Sequence, residues 1–353
     1  MKNLVFHVQG IAVIILFSLF SLTSFANDPS NDKSIFDLMN HEEILDLTLE
    51  TDLTALKTNR QDESSYKATI SFKDAWGQSQ KWDLKVKQRG AFRRVKCSDV
   101  PPLRFNFRKS DLEAAGLAPF DDLKLVPQCI NDQKEAREIL LKEYLAYKLF
   151  NEVSDFSYRV QLLRITYKDT ATGEKDKQWA FLIEDAAQLR YRVDAEKMDG
   201  SYNLPPDSFH LSQARLVAVF EYMIGNVDWG FKTIKNVKYF RKKGKIIPVP
   251  YDFDFSAVVA APYAIPNKNV GQTSLDQRIY LGFAEESGDL HGTIYHLVGK
   301  RKAFEDLVMG FKPLSYESRF EMMAYLNSFF DNPEDIRKEA VVGQGVTEVG
   351  ADR

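Results

Sequence analysis

Short runs of alternating apolar and polar side chains dominate the first half of the chain. Residues 44–49 (ILDLTL), 66–72 (YKATISF) and 82–87 (WDLKVK) each show the period of two that turns one face to a core and the other to water. A glycine-containing stretch at 74–80 reads as the turn between the second and third runs, so these three predict an antiparallel, partly exposed sheet. Residues 103–107 (LRFNF) and 123–126 (LKLV) are further strands, with Pro101 and Pro102 marking entry to the first. Residues 158–167 (YRVQLLRITY) and 178–183 (QWAFLI) add two more across a polar loop at 169–177, and the second stops at Glu184 and Asp185.

The period lengthens to that of a helix at 134–151, where Ala136, Ile139, Leu140, Tyr144, Leu145 and Leu149 recur at helical spacing. Glu143 lies on this helix. It could face the sheet and pair with a basic side chain such as Arg89 or Lys124, or sit in a surface i,i+4 pair. The polar stretch 194–207 reads as a connection. Residues 211–225 form a second helix with Leu216, Val219, Phe220, Met223 and Ile224 on one face, and 322–330 with the segments before it are helical. The last stretch, 341–353, reads as a loose tail.

The chemistry concentrates in one run, 226–256 (NVDWGFKTIKNVKYFRKKGKIIPVPYDFDFS). Asp228 follows the second helix at once. Asn236 opens a β-like run at 237–240, Lys242, Lys243 and Gly244 make a turn, and a returning strand at 246–249 ends at Asp252 and Asp254. Residues at the ends of rigid elements can point into a shared cleft. Phosphoryl transfer to an alcohol needs such a set: one carboxylate orients the hydroxyl, while an amide and a carboxylate hold Mg²⁺ on the nucleotide phosphates. Mg²⁺ prefers oxygen ligands and keeps several waters, so one or two side chains suffice. Asp and Asn singly cap helices and turns; it is the ordered set around a hairpin that points to chemistry. Residues 89–94 (RGAFRR) form a basic, glycine-containing turn that suits phosphate, the alternative being a solvated basic loop.

Composition narrows the class. With 353 residues, 44% apolar and 27% charged, the chain can bury a large core as one big domain or two lobes. A formal charge of -3 gives no basic field for nucleic acid. Lys2, the apolar core at 11–22 and the small residues before Ala26 read as a signal peptide, 1–26, cleaved after Ala26. That core is shorter than the roughly 20 residues of a spanning helix, which predicts no stable membrane anchor after cleavage. Export to the periplasm or the extracellular space favours a Cys97–Cys129 disulfide, worth about 3–4 kcal/mol, over two buried thiols.

Five stretches, KVKQRGAFRR, PPLRFNF, REILLKEYLAYKLF, FLIED, and NVDWGFKTIKN followed by PVPYDFDFS, together resemble the spore-coat protein H (CotH) kinase-like family and its exported bacterial relatives. The resemblance spans residues 86–256 and implies an α+β, two-lobed protein-kinase-like fold. A β-rich N-lobe with one long helix would occupy 27–193, and a mainly helical C-lobe 194–340. It also implies roles: Asp228 catalytic, Asn236 and Asp252 metal-binding with Asp254 as near neighbour, Arg89 beside the phosphates, and Glu143 and Glu184 as the other cofactor-binding positions. ATP and Mg²⁺ are the implied cofactors, and a protein or small-molecule hydroxyl the acceptor. The chain departs from ordinary kinases in lacking a Gly-x-Gly-x-x-Gly loop and a Val-Ala-Ile-Lys strand, so no phosphate-binding lysine is assigned.

Two other functions fit the same residues. One is a kinase-shaped binding or scaffold module of the envelope, without turnover. The other is a metal-dependent hydrolase built on Asp252 and Asp254, which requires that the strand has ended, since alternate strand residues face opposite sides.

Overall fold

A computed structural model describes residues 33–41, 44–60, 64–97, 100–200, 202–284 and 290–342. The expected signal peptide lies outside the described residues, as does the tail beyond 342; residues 341 and 342 end the helix Asp335–Val342.

Seven of the alternating runs form strands: β1 Leu45–Thr51, β2 Ser65–Lys73, β3 Ser79–Gln88, β4 Leu103–Phe107, β5 Asp122–Pro127, β6 Val160–Asp169 and β7 Lys175–Ile183. They pair in the order β1-β2-β3-β4-β5-β7-β6 and close into a barrel. Every neighbouring pair is antiparallel except the seam, where β1 runs parallel to β6 from Leu45↔Leu163 to Thr51↔Asp169.

This closure corrects the expected two-lobed protein-kinase-like fold, whose small lobe would hold an open antiparallel sheet. The closed mixed barrel follows from one parallel ladder between strands far apart in sequence. Alternation reports which face of a strand is buried and is the same whether a sheet is open or closed.

The alternation does set the cores. Leu45, Leu47, Leu49, Ile70, Val86, Phe105 and Leu125 point inward and fill the barrel. At the start of β6 and the end of β7 the outward side chains are buried too. Leu163, Ala180 and Leu182 belong to the barrel core, whereas Leu162, Phe181 and Ile183 join a second cluster outside it. That cluster holds the long helix Gln133–Asn151, the helix Leu211–Ile224, and the helices His291–Gly299, Arg301–Gly310 and Tyr316–Asp331.

The second cluster also carries a small sheet, β10-β9-β8, in which β8 is Glu196–Lys197, β9 Val237–Lys242 and β10 Lys245–Pro250. The polar connection thus supplies an edge strand. Lys242 pairs with Lys245, leaving Lys243 and Gly244 as a two-residue turn with φ of 49° and 77°. Two positive φ values match the right-handed strand twist, so the predicted hairpin forms as a tight turn.

Candidate functional site

The open end of the β9–β10 hairpin organises the site. Val237 pairs with Pro250, so Asn236 and Tyr251 leave the ladder opposite one another, and the Tyr251 N–H donates to the Asn236 carbonyl at 3.0 Å. Asp252 is the next residue. The Asn236 side chain reaches the other way: its Nδ2 donates to the Asp228 carbonyl at 2.7 Å and to Asp228 Oδ2 at 2.9 Å. One asparagine therefore ties the Asp228 loop to the Asp252 loop. Lys235 forms an ion pair with the other carboxylate oxygen of Asp228. Asn236 and Asp252 hold φ values of 51° and 68°. Left-handed backbone at non-glycine residues costs free energy and persists where surrounding contacts impose it, often at sites. At Asp252 one such contact is the Tyr147 hydroxyl, which accepts the Asp252 N–H at 2.8 Å.

Behind this mouth sits a buried charge cluster. After β3 the chain turns at Gly90, whose φ of 74° suits a residue without Cβ, and enters the short helix Ala91–Lys96. That helix delivers Arg93. Its guanidinium lies 2.7 Å from Glu143, 2.8 Å from Asp254 and 3.7 Å from Asp252. Burial opposes the charge on Arg93, yet Asp254 and Glu143 hold its pKa above the ordinary value. Burial raises the pKa of Glu143 and Asp254 in turn, against the pull of Arg93, and Asp252 adds to the rise in both. One cation facing three carboxylates leaves the cluster short of positive charge, so a proton is retained there above the usual carboxylate range.

A second cation approaches from the barrel. Lys124, at a polar position of β5, sets its ammonium over the rings of Tyr158 and Tyr251, 5.3 Å and 5.1 Å from their centroids. Burial lowers its pKa to about 7; Arg89 adds to that lowering and Asp252 opposes it. An anion bound beside this ammonium would raise its pKa and hold it in the charged form.

The predicted positions thus fall into two sets. Asp228, Asn236, Asp252, Asp254 and Glu143 form one connected network. Arg89 stands near it, its N–H donating to the Pro102 carbonyl at 2.9 Å and its charge acting on Lys124. Glu184 does not join. It is fully buried and accepts from the Arg159 N–H, Arg159 Nε and Arg192, which makes it a structural tie between β6, β7 and the helix Ala186–Arg192. The partner of Glu143 is Arg93, not the expected Arg89 or Lys124. The hydrolase reading needed Asp252 and Asp254 on one ion, but Asp254 is only 4% exposed and is bound by Arg93.

Sequence reasoning missed Arg93 and Tyr147 as members of the site and named Lys124 only as a possible partner of Glu143. The polar slot of Lys124 in an otherwise apolar strand was the available signal. The disulfide forms as expected: Cys97 caps the Arg93 helix, and its bond to Cys129 fixes that helix to the segment leading into the Glu143 helix. Comparison with family models, with curated proteins and with solved structures returned no match.

Proposed function

We propose that this chain is a Mg²⁺-dependent phosphotransferase, an exported relative of the spore-coat protein H kinases, moving the ATP γ-phosphoryl group to a protein or small-molecule hydroxyl. The observation that carries the reading is the double attachment of Asn236, which holds a candidate base loop and a candidate metal loop in one rigid unit. Such positioning is most of what phosphoryl transfer asks of a protein.

The residues present suit the ion. The Asp252 side chain is 40% exposed, and its only ion pair among the described residues is the long one to Arg93. Asn236 spends its Nδ2 on Asp228, which leaves its amide oxygen as a ligand. Asp252 and Asn236 would hold Mg²⁺, and Asp254 would not, because Arg93 engages it. The ion would supply charge neutralisation on the phosphates. Asp228, 23% exposed, accepts the proton of the acceptor hydroxyl, and Lys235 and Asn236 fix its orientation. Lys124 and Arg89 offer positive charge to the phosphates. The disulfide supports an oxidising compartment and hence export.

Purified protein tests the reading with ATP, Mg²⁺ and a panel of hydroxyl acceptors. Asp228→Asn is expected to lower turnover by a factor of about 10³ while leaving Mg²⁺–ATP binding intact. Asp252→Asn weakens binding itself. No binding heat from the wild type with Mg²⁺–ATP sinks the proposal and favours the scaffold without turnover.

A further inference from the structure

The helix Leu211–Ile224 ends in a reversal that returns the chain onto its last turn. Gly225, at φ 67°, donates to the Tyr222 carbonyl, and the Asn226 N–H donates to the Glu221 carbonyl at 2.9 Å. This paired closure is the Schellman motif. A Cβ on Gly225 would lie 2.1 Å from the Tyr325 hydroxyl and 2.7 Å from the Ala257 Cβ, so glycine alone fits.

The reversal stacks two buried side chains. Asn226 is fully buried, and its Nδ2 donates to Glu221 Oε2 at 2.9 Å. Its Oδ1 accepts the Asp228 N–H at 2.9 Å, and its carbonyl accepts Trp229 Nε1 at 3.1 Å. Glu221 is fully buried as well, and Oε1 has no hydrogen-bond partner among the described residues. Burial pushes its carboxyl well above the ordinary range. A buried acid with an unsatisfied oxygen costs stability that an apolar side chain of similar volume avoids. Packing therefore does not explain it, whereas its grip on Asn226 does.

We infer that Glu221, acting through Asn226, is a positioning residue for Asp228: it fixes the Asn226 amide, which fixes the backbone of the candidate base. The inference rests on the phosphotransfer reading for its catalytic consequence and on hydrogen bonds alone for its structural one. Glu221→Met is expected to hold or raise the melting temperature, lower kcat about tenfold and leave the KM for ATP unchanged. Glu221→Gln keeps an acceptor for Asn226 and restores kcat. Stability and turnover moving in opposite directions is not what a merely structural side chain gives.

Amide hydrogen exchange supplies the readout that needs no activity. In Glu221→Met the Asp228 amide exchanges at least about tenfold faster, while amides of the helix Leu211–Ile224 keep wild-type rates. Asn226→Ala removes the acceptor of the Asp228 N–H itself and sets the largest acceleration expected, which Glu221→Met approaches. Unchanged exchange at Asp228 in these variants overturns the inference, as does faster exchange with full kcat in an active enzyme. A wild type without turnover counts against phosphotransfer and leaves the exchange result to decide this inference alone.

Discussion

Replacing Arg93 by methionine removes the single cation of the buried cluster and keeps most of the side-chain volume. At 2.7 Å and 2.8 Å, Arg93 attracts ionised Glu143 and Asp254 by about 6 kcal/mol each at an effective dielectric of about 20. The carboxylate oxygens lie within 4.8 Å of one another and repel by at least about 3 kcal/mol on the same scale. Desolvation and protonation cancel much of this, and breaking buried pairs costs about 3–5 kcal/mol. That is a third or more of a stability near 10 kcal/mol. The pH dependence carries the sign. Glu143 and Asp254 have raised folded pKa values, so the folded state holds protons that the unfolded chain has lost. Their contribution is present below the unfolded carboxylate pKa and is lost as pH rises through the folded one. Without Arg93 that loss steepens. With the Glu143 carboxyl pushed up to about 8, urea denaturation at about pH 5 and about pH 9.5 should show the larger penalty at the higher pH and less than about 1 kcal/mol at the lower. An equal penalty at both would refute the charge argument and leave only packing.

Lys124 has a folded pKa of about 7, so its charge fades as pH rises above that value. Mg²⁺–ATP affinity measured by calorimetry should fall between about pH 6 and pH 8.5, and Lys124→Arg should flatten the profile because a guanidinium stays charged. The Cys97–Cys129 bond closes a loop of sequence separation 32. Cys97→Ser with Cys129→Ser should lower stability by about 3–4 kcal/mol in chemical denaturation and speed amide exchange in the Arg93 helix first.

Much of the local structure was legible, because local patterns caused it. All seven barrel strands overlap a run read as β from its side chains, and the hairpin turn was marked by Lys243 and Gly244. Barrel closure was not legible, since Leu45 and Leu163 carry no mark of each other. The site was legible where it lies along one segment. Asp228, Asn236 and Asp252 are ordered by a single hairpin, so reading the hairpin placed them together. Glu143 could be named as an inward-facing acid, yet its partner could not, because Arg93 becomes internal only once Gly90 and the disulfide set the course of a short helix. Lys124 could be named only as a possible partner of Glu143, because the rule that polar strand positions face water gave no reason to bury it. Lys124 lies instead over Tyr158 and Tyr251. Glu184 misled because an acid ending a strand looks the same whether it serves a ligand or two arginines.

The parallel seam has a consequence for biosynthesis. A ribosome releases β1 long before β6 exists, and 118 residues separate the seam partners Asp46 and Arg164. Bringing such distant segments together costs on the order of 4 kcal/mol of chain entropy. Until then β1 offers unpaired peptide groups on one side, an invitation to the wrong neighbour. A nascent chain of about 130 to 180 residues therefore has its first five strands and no way to finish the ring, because β7, which joins β5 to β6, ends at Ile183.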